Sequence, residues 1–285
     1  MATSGAKLAI VTGANAGIGL YTALGLARAG MRVVMVGRDA ERIEGARGFV
    51  AERAPGAETE TALADFSSLD AVRALAAALL ARHERIDVLV NNAGMIASHA
   101  GYSANSYEIT MAVNHLAPFL LTNLLLDRLK QSAQEGEPAR IVTVASQAHR
   151  GARLDPTMLT WPAVWSPLSA YGRSKLANIL FTRSLAQRLD PAVVAVSCLH
   201  PGVIATQIGN NAGIIAGIGW RLAKMFLAGP EKGAETSVFL ATVADPTPFH
   251  GAYVINKRVA EPEAAARDDA LAEAVWQESA RLVDL

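Results

Sequence analysis

A tyrosine and a lysine four residues apart, Tyr171 and Lys175, are the side chains of this chain best suited to acid–base chemistry. On a helix this spacing places both side chains on one face. A phenol has a pKa near 10, but a neighbouring ammonium group favours the phenolate and lowers that pKa. The pair therefore predicts a proton donor and acceptor for a reacting oxygen, although the same spacing also arises by chance between two surface residues.

A serine, Ser146, follows an apolar run at 141–145 and precedes Tyr171 by 25 residues. Such a run predicts a buried parallel strand, which delivers the next residue to the carboxyl edge of the sheet. At that edge the hydroxyl is placed to donate a hydrogen bond to a reacting carbonyl oxygen. A helix cap or a strand-end hydroxyl is the alternative, and the presence of Tyr171 and Lys175 makes it the weaker interpretation.

Three glycines lie between an apolar run at 8–11 and a helical pattern from Leu20 onward. Glycine permits unusual backbone dihedrals and lets backbone N–H groups approach a pyrophosphate at the N-terminus of the next helix. A glycine-rich turn alone is a weak signal, but the strand before it and the helix after it predict a dinucleotide site. The residues predicted to bind this cofactor are Gly13, Asn15, Ala16, Gly17, Ile18 and Gly19.

The end of the second predicted strand indicates which dinucleotide binds. An acidic residue there pairs with the ribose of NAD, whereas an arginine accommodates the 2′-phosphate of NADP. The sequence reads Val36-Gly37-Arg38-Asp39, which places Arg38 where a phosphate contact is expected. Two alternatives stay open: Arg38 as a solvated surface charge, and Asp39 facing the ribose rather than capping the next helix. We predict NADP(H).

Strand and helix patterns alternate along the whole chain, which predicts a doubly wound α/β fold: a parallel sheet of about seven strands with helices on both faces. No linker or internal repeat interrupts the alternation, so residues 1–285 are interpreted as one domain. Asp39, Ser68 and Ser169 are predicted helix N-caps. The predicted strands are 8–11, 32–36, 60–64, 88–91, 140–145, 193–199 and 252–255, and the predicted helices are 18–29, 40–53, 68–83, 105–131, 170–189 and 231–244.

Two stretches interrupt this rhythm, at 147–168 and 207–230. Both follow strand ends, where loops of open α/β sheets form the ligand crevice, so both are predicted lids over the substrate. The second stretch is mostly apolar, and a membrane-dipping face is the alternative for its Trp220, Met225 and Phe226 with Arg221 and Lys224. The alanine-rich tail from Glu261 predicts a surface helix.

Composition excludes several classes of protein. The 26 basic and 26 acidic residues balance, which argues against a nucleic-acid or anionic-membrane partner. The single cysteine, Cys198, lies in an apolar run and is interpreted as a buried, inert thiol. No signal peptide and no apolar stretch of about 18 residues is visible. We expect a cytoplasmic protein with no membrane span.

Six histidines raise the question of a metal site, but none has the spacing of a metal-binding helix motif. We therefore expect no bound metal. His115 and His200 are assigned structural or cleft-edge roles, and His149 is a weaker candidate for lining the substrate cleft.

In its glycine turn, in Ser146 and in the pair of Tyr171 and Lys175, the chain resembles the short-chain dehydrogenase/reductase family, in its compact single-domain branch. Further matches are Asn91-Asn92-Ala93-Gly94 after the fourth strand, Asn114 within Val113-Asn114-His115, and Pro201-Gly202 after the sixth. The segments 174–181 and 200–203 are similar to those of the retinol dehydrogenases, of WW-domain oxidoreductases and of bacterial carbonyl reductases. The interval between Ser146 and Tyr171 is longer than is usual in the family.

The resemblance implies a Rossmann-type fold and a catalytic tetrad of Asn114, Ser146, Tyr171 and Lys175. Tyr171 would donate a proton to the carbonyl oxygen as hydride arrives, with Ser146 orienting that carbonyl. Lys175 would lower the tyrosine pKa and bind the nicotinamide ribose, and Asn114 would hold a water that links Lys175 to solvent. Further implied cofactor contacts are Asp65, Phe66, Asn92, Ala93, Gly94, Tyr171, Lys175, Pro201, Gly202, Val203 and Thr206.

The function so implied is NADP(H)-dependent interconversion of a ketone or aldehyde and an alcohol, on bulky hydrophobic substrates. The alternatives are an NAD-dependent dehydrogenase of a retinoid- or steroid-like alcohol, a sugar epimerase or dehydratase, and a non-catalytic NADP-sensing regulator. In many relatives the helices corresponding to 105–131 and 170–189 form a dimer interface. A homodimer or homotetramer is therefore implied, although the subgroup includes other states.

Overall fold

A single sheet of eight strands organises the part of the chain that the computed structural model describes, residues 5–162, 164–202 and 229–285. The strands are β1 (Leu8–Thr12), β2 (Arg32–Gly37), β3 (Thr59–Leu63), β4 (Val88–Asn91), β5 (Ala139–Val144), β6 (Val194–His200), β7 (Tyr253–Ile255) and β8 (Arg258–Ala260). Their order across the sheet is β3-β2-β1-β4-β5-β6-β7-β8, and only β8 is antiparallel to its neighbour. This confirms the doubly wound α/β prediction.

Helices cover both faces of the sheet. They are α1 (Gly17–Arg28), α2 (Ala40–Arg53), α3 (Leu69–Arg82), α4 (Ile109–Ser132), α5 (Pro167–Ala186), α6 (Pro230–Thr242) and α7 (Asp269–Leu282). Alternate residues of β1 enter two separate cores: Leu8 and Ile10 pack with α3, α4, α5 and α7, and Ala9 and Val11 pack with α1, α2 and α6. The site that lies along the carboxyl edge is therefore held from both sides.

The predicted parallel sheet of about seven strands is confirmed, and an eighth, antiparallel strand, β8, follows β7 where the sequence predicted none. Asn256 and Lys257 adopt positive φ and turn the chain from β7 directly into β8. β8 is only three residues long, and the side chains of Arg258 and Val259 are exposed. So short a strand shows no apolar periodicity, and the sequence pattern could not indicate it. β8 pairs with β7 and extends the sheet beyond its parallel part.

Two of the three predicted helix caps are confirmed. The Asp39 side chain accepts a hydrogen bond from Arg42 N at 3.0 Å, and Ser68 accepts one from Ala71 N at 3.3 Å. The prediction of Ser169 as a cap is wrong, because Ser166 caps α5 by accepting from the Ser169 backbone N–H at 3.2 Å. Proline is favoured in the first helical turn, so Pro167 begins the helix earlier than the apolar pattern suggests.

The predicted irregular stretch at 147–168 is confirmed for most of its described length, and it ends two residues earlier than predicted. It contains two short 3-10 turns, Gln147–His149 and Pro156–Met158, and ends where α5 begins at Pro167. Of the second predicted lid, residues 207–228 lie outside the described residues, with Trp220, Arg221, Lys224, Met225 and Phe226 among them, and Pro230 already belongs to α6.

The predicted C-terminal surface helix exists as α7, but its inner face is buried. Trp276 packs against Phe119 at 4.9 Å and Phe181 at 5.9 Å between ring centroids, and the guanidinium of Arg188 lies 4.2 Å from its ring. The chain itself thus covers part of α4 and α5, the helices through which the resemblance implied subunit contacts.

The helix α4 is long and apolar enough to span a membrane by length and composition, with a mean hydropathy of 1.5 in its most apolar window. Yet 72% of that window is buried inside the structure, as in a core helix. Among the described residues, no group of three His, Cys, Asp or Glu side chains is placed to hold a metal ion.

Candidate active site

The predicted site residues that the structure describes lie along the carboxyl edge of the sheet, around the ends of the neighbouring strands β1 and β4. The chain leaves β1 towards β2 on one side and continues from β4 to β5 on the other. At such a switch point the loops after the two central strands diverge and leave a crevice for a ligand. The glycine turn after β1 and the loop of Asn92, Ala93 and Gly94 after β4 border this crevice.

Steric constraints explain the glycines of the turn. Gly13 and Gly17 adopt φ of +66° and +57°, a region that glycine enters without strain. A Cβ atom on Gly19 would lie 2.2 Å from the carbonyl oxygen of Gly13, so no larger residue fits there. Gly19 thus packs directly against Gly13, and the intervening Asn15, Ala16 and Ile18 lie at the start of α1.

The N-terminus of α1 has the properties of an anion site. Ala16 precedes the helix in an extended conformation and provides no side-chain cap, and the first turn carries no acidic residue. The first N–H groups of a helix have no intrahelical acceptors and lie at the positive end of its dipole. By contrast, α2 and α3 are capped by Asp39 and Ser68. A pyrophosphate would supply the acceptors that the chain omits at α1.

A buried threonine that the sequence analysis did not single out braces this turn. The Thr12 hydroxyl accepts hydrogen bonds from the backbone N–H groups of Asn92 and Ala93, each at 3.0 Å, and donates to Val90 O at 3.3 Å. The Asn92 side-chain amide donates to the carbonyl oxygens of Thr12 at 2.7 Å and Gly13 at 3.3 Å. Asn92 and Ala93, predicted as cofactor contacts, thus also fix the shape of the glycine turn.

The side chains expected near the adenosine half lie at the ends of β2 and β3. Arg38 is exposed and has no hydrogen-bond or ion-pair partner among the described residues. Asp39 is engaged with Arg42, through the backbone N–H and an ion pair at 3.7 Å, so its carboxylate serves as a cap. The Asp65 carboxylate accepts a hydrogen bond from Ser67 N at 2.9 Å and is otherwise exposed, next to the buried Phe66.

Lys175 and Tyr171 project from α5 towards the strand end that carries Ser146. Lys175 is 3% exposed, and its ammonium group donates to the carbonyl oxygen of Val144 at 2.8 Å. The same Nζ lies 5.5 Å from the centroid of the Tyr171 ring. The structure therefore brings Ser146, Tyr171 and Lys175 together, as the sequence predicted.

Burial shifts the pKa values of both side chains of the pair. It lowers the pKa of Lys175 to about 8. It also raises the pKa of Tyr171, and the Ser146 hydroxyl opposes this shift. The net shift of the tyrosine pKa is upward, because burial is the larger effect, and the lowering expected from Lys175 stays a prediction. Tyr171 is consequently a protonated phenol at neutral pH.

Asn114 lies at the centre of a π-helical turn, Ala112–Leu116, within α4. Its side-chain oxygen accepts from Met95 N at 2.8 Å, and its amide donates to Met95 O at 2.9 Å and to Ser174 Oγ at 3.0 Å. The polar atoms of the Asn114 side chain thus have protein partners. Ser174 in turn donates a hydrogen bond to Tyr171 O at 2.8 Å, which connects Asn114 to the backbone of α5. Irregular turns of this kind are frequent at functional sites.

Gly94 has no side chain, which leaves space for Asn114 and Lys175 beside the loop after β4. A Cβ atom at this position would lie 3.3 Å from Asn114 Oδ1 and 3.4 Å from Lys175 Nζ. Its predicted role as a cofactor contact is therefore accompanied by a second one, which is to permit Asn114 and Lys175 to approach the loop after β4.

The long interval between Ser146 and Tyr171 packs against α4 through a buried carboxylate. Glu108 is 1% exposed and accepts hydrogen bonds from Thr110 N, Met111 N and the indole N–H of Trp165 at 2.8 to 3.1 Å. The backbone N–H of Glu108 also donates to Thr160 O at 2.7 Å. Two tryptophans at 161 and 165 could have indicated packing, but only the structure shows their partners.

After β6, Pro201 and Gly202 follow the strand end as predicted, and Gly202 turns the chain at φ +88°. Val203 and Thr206, the other implied contacts in this loop, lie outside the described residues. His115 is fully buried behind the site and contacts Asn178 Oδ1 at 3.2 Å and Ser279 Oγ at 2.8 Å. Its role is structural, and burial lowers its pKa to about 4.

Comparison with known proteins agrees with this geometry. A family model described as short chain dehydrogenase matches residues 7–214. Dehydrogenase/reductase SDR family member 13 of Bos taurus is 41% identical over 283 residues, which cover 98% of this chain and 74% of that protein. Retinol dehydrogenase 13 of Homo sapiens is 38% identical over 294 residues, which cover all of this chain and 86% of that protein.

Among solved structures, the complex of Pseudomonas aeruginosa RhlG with NADP in its active site superposes with a TM-score of 0.70. It is 29% identical, and the match covers 87% of this chain and 93% of that chain. The chain therefore belongs to the short-chain dehydrogenase/reductase family of oxidoreductases, which act on alcohol and carbonyl groups, and resembles its retinol dehydrogenase subgroup.

Proposed function

We propose that this protein is an NADP(H)-dependent oxidoreductase that interconverts a bulky apolar aldehyde or ketone and its alcohol. The observation that supports this most directly is the meeting of Ser146, Tyr171 and Lys175 beside the uncapped N-terminus of α1. When bound in this crevice, NADPH supplies a hydride to the carbonyl carbon.

The protonation state of Tyr171 suits the reduction of a carbonyl. A phenol with a pKa of about 10 or above carries its proton at neutral pH, and burial shifts Tyr171 further in that direction, so Tyr171 can donate this proton to the carbonyl oxygen. The Ser146 oxygen accepts a hydrogen bond from Ala148 N at 3.1 Å, which leaves its O–H to donate to the same substrate oxygen. Lys175 keeps a positive charge near the phenol and stabilises the tyrosinate that forms.

The choice of NADP(H) rests on the two charged residues after β2. Asp39, the residue that would favour NAD, already caps α2 and pairs with Arg42. Arg38 is exposed and without a partner among the described residues, so its guanidinium is available for a 2′-phosphate. The RhlG relative holds NADP, which agrees with this assignment.

The proposed substrate class rests on apolar side chains around the start of α5. Leu168 is 76% exposed and precedes Tyr171 by three residues, so both lie on the same side of the helix. Val164 and Met158 add further exposed apolar surface from the preceding segment. Several relatives are named retinol dehydrogenases, and a retinoid aldehyde or alcohol has the size and apolarity that such a rim would contact.

Replacing Tyr171 with Phe removes the proposed proton donor and keeps the ring. We expect NADPH-dependent reduction of retinaldehyde to fall by about 100-fold or more, because proton donation is lost from the transition state. The dissociation constant for NADPH, measured by fluorescence titration, should change little. Tyr21→Phe is the matched control, since the Tyr21 ring packs against Phe49. Near-normal turnover by Tyr171→Phe would contradict the proposal.

Replacing Arg38 with Ala tests the cofactor assignment. A charge-assisted hydrogen bond to phosphate contributes roughly 1.5–3 kcal/mol, so the KM for NADPH should rise by about 10- to 100-fold and the KM for NADH much less. Arg47→Ala removes an exposed arginine that pairs with Glu44 on the same helix, and should alter neither constant. Equal effects of Arg38→Ala on both cofactors would refute the assignment.

Replacing Leu168 with Ser tests the apolar rim. The KM for retinaldehyde should rise several-fold because apolar contact area of a few tens of Å² is lost, at about 25 cal/mol per Å². The KM for a short aldehyde such as propanal should not change, since it does not reach the rim. Val193→Ser, at the opposite edge of the sheet, is the control. A preference of the wild type for propanal over retinaldehyde would argue against the proposed substrate class.

A further inference from the structure

The turn that carries Ser146 packs directly against the helix that carries Tyr171. Ser146 precedes the 3-10 turn Gln147–His149, and the carbonyl oxygen of Ala148 abuts α5 at Gly172. A Cβ atom on Gly172 would lie 2.7 Å from that oxygen. The distance between the serine and the tyrosine is therefore set by how this short turn is held.

A buried histidine holds the turn through both of its ring nitrogens. His149 is 1% exposed, and its Nδ1 lies 2.6 Å from the backbone carbonyl oxygen of Ser146. A carbonyl can only accept, so Nδ1 carries a proton. Its Nε2 lies 3.2 Å from the backbone N–H of Glu263, which can only donate, so Nε2 carries none. These partners require the neutral imidazole with its proton on Nδ1.

The surroundings of the turn fix it from two further sides. The backbone N–H of Gln147 donates to His200 Nδ1 at 3.3 Å, at the end of β6. The segment after β8 lies across the turn, where Glu263 accepts from Gly151 N and the Glu261 carbonyl accepts from Arg150. The Tyr253 ring of β7 packs edge-on against the His149 ring at 5.1 Å between centroids.

We propose that His149 is a positioning residue for Ser146, and that its neutral Nδ1–H imidazole holds the serine turn in the geometry required for carbonyl reduction. Removal or protonation of the ring releases this turn from the Glu263 backbone and displaces the Ser146 hydroxyl. The inference rests on the proposed reductase function, in which Ser146 donates to the substrate oxygen. His149 itself touches neither substrate nor cofactor in this account.

The consequence for pH follows from which groups face the imidazole. Burial and the charge of Arg150 lower its pKa, whereas Glu263 and the hydrogen bond to Ser146 raise it, and the net shift is downward. His200 and the Tyr253 phenol complete the set of titratable neighbours. The active neutral form therefore persists below the ordinary histidine pKa of about 6.5 and is lost as the pH falls through the lowered value. The rate of reduction should fall on this acid side.

Two replacements of His149 distinguish the loss of its hydrogen bond to Ser146 from a change in side-chain volume. In His149→Asn the side-chain amide nitrogen takes the place of Nδ1 and can still donate to Ser146 O, whereas in His149→Gln it takes the place of Nε2. We expect His149→Gln to lower kcat by about 10- to 100-fold with an unchanged KM for NADPH, since small displacements of a reacting group cost this much. His149→Asn should recover much of kcat and lack the acid-side fall.

The control variant is His83→Asn, a second buried histidine with a lowered pKa, which lies at the end of α3. It should retain the wild-type kcat and pH profile. Thermal unfolding of each variant at each pH identifies losses that reflect unfolding rather than positioning. Identical kcat and pH profiles for wild type, His149→Gln and His149→Asn would overturn the inference.

Nitrogen-15 NMR of histidine-labelled protein provides a readout that does not depend on activity. The His149 signal, assigned by its loss in His149→Asn, should show a protonated Nδ1 and an unprotonated Nε2 at pH 7. The Nε2–H tautomer or a doubly protonated ring would refute the inference even in an active enzyme. If instead the wild type reduces no carbonyl while His149 shows the expected tautomer, the proposed function fails and the geometry of the turn stands.

Discussion

A lysine ammonium group buried at the end of β5 is the constraint on which the rest of the candidate active site depends. Lys175 is almost fully buried, and the Val144 carbonyl is its acceptor. A buried charge with few partners is costly, which is why burial lowers its pKa to about 8. The hydrogen bond to Val144 joins α5 to the strand that delivers Ser146, and a ligand hydroxyl near Nζ would offset part of the remaining cost. The Lys175 ammonium group thus contributes both to the packing of α5 on β5 and to the proposed ligand site.

The crevice near this lysine includes backbone N–H groups of α1 that no side chain caps among the described residues. The N-terminus of α1 is uncapped, whereas α2 and α3 are capped, and the difference falls where a pyrophosphate would bind. Thr12 and Asn92 hold the glycine turn rigid by hydrogen bonds across β1 and β4. Rigidity matters here because preorganised donors need no rearrangement when the ligand arrives.

Local patterns predicted much of this from sequence. The glycine turn, the four-residue spacing of Tyr171 and Lys175 and the serine after β5 depend on contiguous residues, and the parallel sheet that brings them together follows from alternating strand and helix patterns. Contacts between distant segments could not be predicted in this way. Ser174 binding Asn114, Trp165 binding Glu108 and Glu263 binding His149 each join residues at least 57 positions apart. The raised pKa of Tyr171 also arises from burial by several elements at once.

The proposed reaction moves a hydride between NADPH and a carbonyl carbon at the Ser146, Tyr171 and Lys175 cluster. Incubation of the enzyme with retinaldehyde and NADPH that carries deuterium at both C4 positions, followed by mass spectrometry of the product, tests this transfer directly. We expect retinol that carries one deuterium on its carbinol carbon. The absence of a deuterated alcohol from retinaldehyde and from every aldehyde and ketone in a graded panel would contradict it.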